Sequence, residues 1–158
     1  MSSKYQTLGD HSEKNMVSMK NKKIGLVVSE WNDQVTESLL LAAIEVLKES
    51  GAKDKNLTIK YVPGSFELTL GAQYLAAKKD IDAVICLGCV IQGETRHFDF
   101  ICDAVANGIT NVGLKFNKPV IFGVLTTNTL QQALDRAGGK HGNKGEEAAY
   151  TAIKMLGF

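Results

Sequence analysis

The chain has 158 residues, 44% of them apolar, with 18 Lys and Arg against 17 Asp and Glu for a formal net charge of +1. One domain of that size can bury most of its apolar surface, which excludes disordered and collagen-like classes. The near-neutral balance offers no basic field for nucleic acid or an anionic membrane, and no apolar run is long enough to span a bilayer.

Residues 1–22, MSSKYQTLGDHSEKNMVSMKNK, are polar and aperiodic and read as an N-terminal arm without a secretory leader. Residues 23–158 read as a single domain. Four apolar, β-branched runs follow, at residues 22–30 (KKIGLVVSE), 56–64 (NLTIKYVPG), 81–91 (IDAVICLGCVI) and 118–127 (KPVIFGVLTT). Each precedes a segment of helical period. After the first run, Leu39, Leu40, Ala43, Ile44 and Leu47 form a stripe that Gly51 is placed to end. After the second, the stripe is Phe66, Leu70, Tyr74 and Leu75, with Gly71 a weak point. After the third it is Phe98, Ile101, Cys102, Val105 and Ile109. After the fourth, Thr129 and Gln132 make a capping box ahead of Leu130, Ala133 and Leu134, and Gly138-Gly139 stops the helix. A last helix starts near Lys144, with Ala148, Ala149, Ile153 and Leu156 inward. Near-continuous apolar strands suggest burial on both faces, so the alternation predicts one doubly wound α/β domain around a parallel sheet.

Cys86 and Cys89 form a C-x-x-C, but inside a buried strand and with no second pair at metal spacing. They read as core thiols in a reducing, cytoplasmic compartment, with no metal expected. The Asn56-Leu57-Thr58 sequon carries no weight without secretion. GGKHGNKGEE lacks the spacing of a phosphate loop and follows a helix.

Open parallel sheets bind ligands beyond the carboxyl ends of their strands. The residues there are Trp31-Asn32, Gly64-Ser65-Phe66-Glu67, Gly93 to His97, and Thr126-Thr127. This rim suits a planar, polar small molecule and an anion. Trp31 is either a core plug or a stacking face. Gly93 to Thr95 is either a plain helix start or a set of N–H groups aimed at an anion. His97, in the first turn of that helix, is either structural or a proton donor beside the anion. Arg136, near the end of its helix, answers the dipole or forks onto phosphate; with the fourth strand at the sheet edge, its partner can belong to another subunit. His11 and His141 read as solvated.

Pro63-Gly64-Ser65-Phe66-Glu67, GCVIQGETRHFDF and PVIFGVLTTNTLQQALDRAGGKHGNKGEEAA closely resemble the lumazine synthases, over about Lys23 to the C-terminus. The resemblance implies a three-layer α/β/α, flavodoxin-like domain with a four-stranded parallel sheet that the N-terminal arm can extend. It implies condensation of 5-amino-6-(D-ribitylamino)uracil with 3,4-dihydroxy-2-butanone 4-phosphate, without metal or other cofactor. By motif, Trp31 stacks on the pyrimidine with Asn32 beside it, and Ser65, Phe66 and Glu67 line the ribityl chain. Cys89, Val90 and Ile91 meet the pyrimidine edge through backbone groups, and Phe122 closes the site. Glu94, Thr95 and Arg136 hold phosphate, His97 is the proton donor, and Lys144 is a basic residue nearby. Gln92, Arg96, Cys89 and His141 depart from common family choices. Phe122 and Arg136 come from a neighbour in a homopentamer, the short GGKHGNKG loop favours a 60-subunit shell, and riboflavin synthase is an implied associate. A non-catalytic flavin or lumazine carrier and a shell protein with a vestigial pocket are the competing classes.

Overall fold

A computed structural model of the chain describes residues 16–158. Four parallel strands form the central sheet: β1 (Ile24–Ser29), β2 (Leu57–Val62), β3 (Ala83–Ile91) and β4 (Val120–Thr127), in the order β2-β1-β3-β4. Ile24 is in register with both Leu57 and Ala83, and Val84 with Val120. Parallel neighbours require crossovers, and helices provide them. These are α1 (Asp33–Glu49), α2 (Leu68–Ala76) and α3 (His97–Phe116), followed by the short α4 (Leu130–Leu134) and the closing α5 (Lys144–Met155).

The two-residue side-chain period of a strand sorts the core into two layers. Leu26, Val28, Ile85, Leu87 and Leu125 meet Leu39, Ala43 and Leu47 of α1 and Ala149, Ala152 and Ile153 of α5. Val27, Val84, Cys86 and Val124 meet Leu68, Ala72 and Leu75 of α2 and Val105, Ile109 and Val112 of α3. The expected three-layer α/β/α architecture is thus present, with β4 at a sheet edge.

Several local expectations are corrected. Only β1 and β3 are buried on both faces; β2 is the other edge strand, and its Ile59, Lys60 and Tyr61 are exposed. Helix α2 buries Leu68, Ala72, Leu75 and Ala76, while Phe66, Leu70 and Tyr74 of the expected stripe face outward, Tyr74 being 64% exposed. Close approach decides this. A Cβ on Gly71 would stand 2.7 Å from Val27 Cγ1, so the helix lies close on the sheet around Gly71, with Leu70 and Tyr74 left outside.

Helix α1 ends as expected, with Ser50 at its C-cap and Gly51 left-handed at φ 102°. In α4, Thr129 Oγ1 accepts from the Gln132 N–H at 3.2 Å, but Gln132 Oε1 turns to the Asn128 N–H at 2.9 Å rather than closing the box. That helix ends at Leu134, before Gly138-Gly139. Those glycines belong instead to an antiparallel hairpin of β5 (Ala137–Gly139) and β6 (Gly142–Asn143), with positive φ at Gly138 and Gly142. Residues 1–15 of the expected arm, His11 among them, lie outside the described region. The chain has already joined the core at Met19, which is fully buried and whose N–H donates to Ser50 O at 2.8 Å.

Candidate active site

Three turns at the carboxyl ends of β1, β2 and β3 enclose a cavity of about 680 Å³. Trp31 and Asn32 line it from the first turn. Gly64, Ser65, Phe66 and Glu67 come from the second, Cys89, Val90 and Ile91 from the end of β3, and His97 and Ile101 from the start of α3.

Trp31 is 73% exposed and therefore a free aromatic face, not a core plug. Asn32 follows in the left-handed region at φ 64°, and its Nδ2 donates to Cys89 O at 2.9 Å. Residues 65–67 form a single 3-10 turn, closed where the Gly64 N–H donates to Glu67 Oε2 at 3.1 Å. Ser65 is only 6% exposed, and its Oγ is the one buried side-chain polar atom without a hydrogen-bond partner among the described residues. Gly88 makes room for it: a Cβ there would lie 2.7 Å from Ser65 Oγ and 2.8 Å from Leu68 Cδ1. An unpartnered buried hydroxyl costs stability, and this one is buried against Gly88 behind the cavity wall that Ser65 helps to form.

Burial pushes the Cys86 thiol up to about 12 and the Cys89 thiol up to about 11. Both stay neutral near pH 7, so neither is a thiolate nucleophile. Among the described residues, no three His, Cys, Asp or Glu gather as metal ligands.

The remaining expected residues lie apart. Glu94 and Thr95 sit exposed ahead of α3 and do not line the cavity; Thr95 Oγ1 accepts from the His97 N–H at 3.4 Å, one residue ahead of the N-cap Arg96. Phe122 projects from the edge strand β4 into a separate hollow of about 280 Å³ shared with Lys144, Glu147 and Thr151. Lys144 is paired there with Glu147 at 2.6 Å, their side chains 17% and 9% exposed. Arg136 is past the end of α4 rather than in its last turn, half-buried, with Nη1 donating to Gln132 O at 3.0 Å. His141 is half-buried rather than solvated. Gly64 stands on the expected rim, whereas the sequence reading missed Ile101 as a lining residue, since it was visible only as part of a helical stripe.

The fold and cavity define a small-molecule-binding α/β domain, with an aromatic face, a serine and a histidine at the strand ends. The family described as 6,7-dimethyl-8-ribityllumazine synthase matches residues 21–158. The chain is 62% identical to the 6,7-dimethyl-8-ribityllumazine synthase of Cytophaga hutchinsonii, over 99% of this chain and 98% of that one. It is 51% identical to that of Parabacteroides distasonis, over 100% and 99%. Against that of Flavobacterium johnsoniae it is 46% identical, over 98% and 82%. The chain belongs to the 6,7-dimethyl-8-ribityllumazine synthase family.

Proposed function

We propose that the chain condenses 5-amino-6-(D-ribitylamino)uracil with 3,4-dihydroxy-2-butanone 4-phosphate to 6,7-dimethyl-8-ribityllumazine, releasing phosphate and water. The observation that carries this reading, beside family membership, is the cavity that exposed Trp31, Ser65 and His97 line together. Trp31 stacks on the pyrimidine, and Asn32 shapes the same wall. Ser65, Phe66 and Glu67 line the ribityl chain; Glu67 Oε2 already accepts the Gly64 N–H, so Oε1 is the oxygen left for ribityl hydroxyls. Cys89, Val90 and Ile91 meet the pyrimidine edge.

The substrate amine attacks the ketone, an imine forms with loss of water, phosphate leaves, and ring closure releases water again. His97 passes protons at these steps. Glu94, Thr95 and Arg136 hold the phosphate, with Lys144 nearby. Phe122 and Arg136 lie outside the cavity of their own chain, which supports a homopentamer in which an adjacent copy supplies both. A 60-subunit shell, association with riboflavin synthase, and a cytoplasmic setting complete the reading, with residues 23–158 as the single catalytic domain and 1–22 as its arm.

Lumazine formation, followed by absorbance and fluorescence with both substrates, tests the reaction. Acceleration over background is expected, and His97→Ala should slow turnover ~10-fold or more. No acceleration by a correctly assembled oligomer would favour a carrier. A wild-type rate in His97→Ala would remove that residue from the mechanism.

Ser65→Ala separates binding from stability. It should leave the denaturant midpoint unchanged or slightly raised, since no native hydrogen bond is lost, while weakening ribitylaminouracil binding about 5-fold, or ~1 kcal/mol. Calorimetric titration beside a denaturation curve reads both. A lower midpoint with unchanged affinity would make the hydroxyl structural.

A further inference from the structure

We infer that Asn32 is a positioning residue that holds Trp31 as a rigid stacking face, by turning the chain sharply after β1 and tying the turn to the end of β3. The inference deepens the reading of Trp31 given above and rests on it for its effect on substrate.

Trp31 is 73% exposed within its own chain, so packing against the side chains of that chain does little to hold it. The direction in which it leaves the main chain depends on the backbone that carries it. That backbone is tied on several sides. The Trp31 N–H donates to Pro63 O at 3.1 Å, and the Glu30 N–H to Val62 O at 2.8 Å. Thr36 Oγ1 donates to Ser29 O at 2.8 Å from a buried position, and Ser29 Oγ reaches Trp31 O at 3.4 Å. Asn32 completes the turn. It is one of two non-glycine residues with positive φ among the described residues, at φ 64° and ψ 45°. Asparagine tolerates that region better than other side chains.

Asn32 also occupies the N-cap position of α1, where asparagine ordinarily accepts from the helix's own N–H groups. Here it makes no such bond. Its Nδ2 instead spans 57 positions of sequence to Cys89 O at 2.9 Å. The helix start takes the Asn32 carbonyl, which accepts from Val35 at 2.9 Å and Thr36 at 3.1 Å. One residue thus fixes the turn, starts α1 and bridges two cavity walls. The bond from this amide to β3 acts on the substrate through Trp31, the residue whose backbone it helps to hold.

Trp31 is the sole tryptophan, so its fluorescence reports this turn alone. In the unliganded wild-type protein, time-resolved anisotropy should show a tryptophan that does not rotate independently of the particle. Fast, wide-angle local rotation would overturn the proposal without any variant. Asn32→Gly retains the left-handed turn and loses the tie. It should release local Trp31 rotation and raise KM for ribitylaminouracil about tenfold, with kcat within about twofold of wild type. Asn32→Asp retains the turn preference but sets a carboxylate against the Cys89 carbonyl, and should do the same. Raised KM with Trp31 still rigid would mean that Asn32 contacts the substrate directly, and would overturn the proposal, as would wild-type behaviour of both variants. Trp31→Ala separates the two layers: unchanged pyrimidine affinity there, with rotation still released in Asn32→Gly, would sink the stacking role while leaving the positioning role intact.

Discussion

Arg136→Ala should lower kcat/KM for the phosphorylated ketone about 100-fold, with affinity for ribitylaminouracil near wild type. A guanidinium forks two N–H groups onto phosphate, and removing such charge-assisted bonds from a water-poor site costs about 2–3 kcal/mol, or about two powers of ten. The side chain is prepared for this, because Nη1 is anchored on Gln132 O at 3.0 Å and the rest of the planar group remains for an anion. Arg136→Lys should recover only part of the loss, since an ammonium supplies charge without the fork. Unchanged kinetics with the ketone would remove Arg136 from the phosphate site. The same variant tests the shared cavity. Arg136→Ala and His97→Ala chains refolded together should regain activity that neither has alone, because some sites then combine an intact residue from each copy. No regain in verified mixed oligomers would place both residues on one chain's site.

Gly145→Ala should destabilise the protein by roughly 3 kcal/mol or more, or prevent the folded chain from accumulating. Gly145 lies in the first turn of α5 and is buried against α1. A Cβ there would overlap Leu39 O and stand 2.6 Å from Leu39 C and 2.8 Å from its Cα. These are backbone atoms in the middle of α1, so no side-chain rotation relieves the clash. Nor can α5 easily slide away: the Gly145 N–H donates to Asn143 Oδ1 at 2.8 Å, and Asn143 Nδ2 in turn donates to Ser38 O at 3.3 Å. Gly93→Ala is the control. It meets open space and should shift stability by less than about 0.5 kcal/mol. Denaturation midpoints of the two variants decide; similar midpoints would mean that α5 can reseat on α1.

The strand and helix order was legible because β1 and β3 are apolar runs and α1 and α3 keep a clean helical period. The rim followed from topology, and it led to Trp31, Ser65 and His97. What stayed hidden depends on distances between elements. The buried face of α2 is set by how closely Gly71 approaches Val27, and the largest apolar residues in that segment therefore point the wrong way for a periodicity argument. The exposure of β2 reflects its place at a sheet edge, which local pattern does not encode. The β5–β6 hairpin is too short to have a period and rests on left-handed glycines. Phe122 and Arg136, and their supply by a neighbouring copy, could be named by resemblance, but no local pattern of apolar residues places them.

The cavity's walls arrive on three turns carried by β2, β1 and β3, which are neighbours in the sheet. The sheet therefore acts as a ruler. Strands about 4.8 Å apart place the outer two turns about 10 Å from one another whatever the turns contain. Turn residues outside the Asn32–Cys89 and Trp31–Pro63 bonds can be rewritten without respacing the strands, so a redesign of what the cavity accepts can proceed on an unchanged frame.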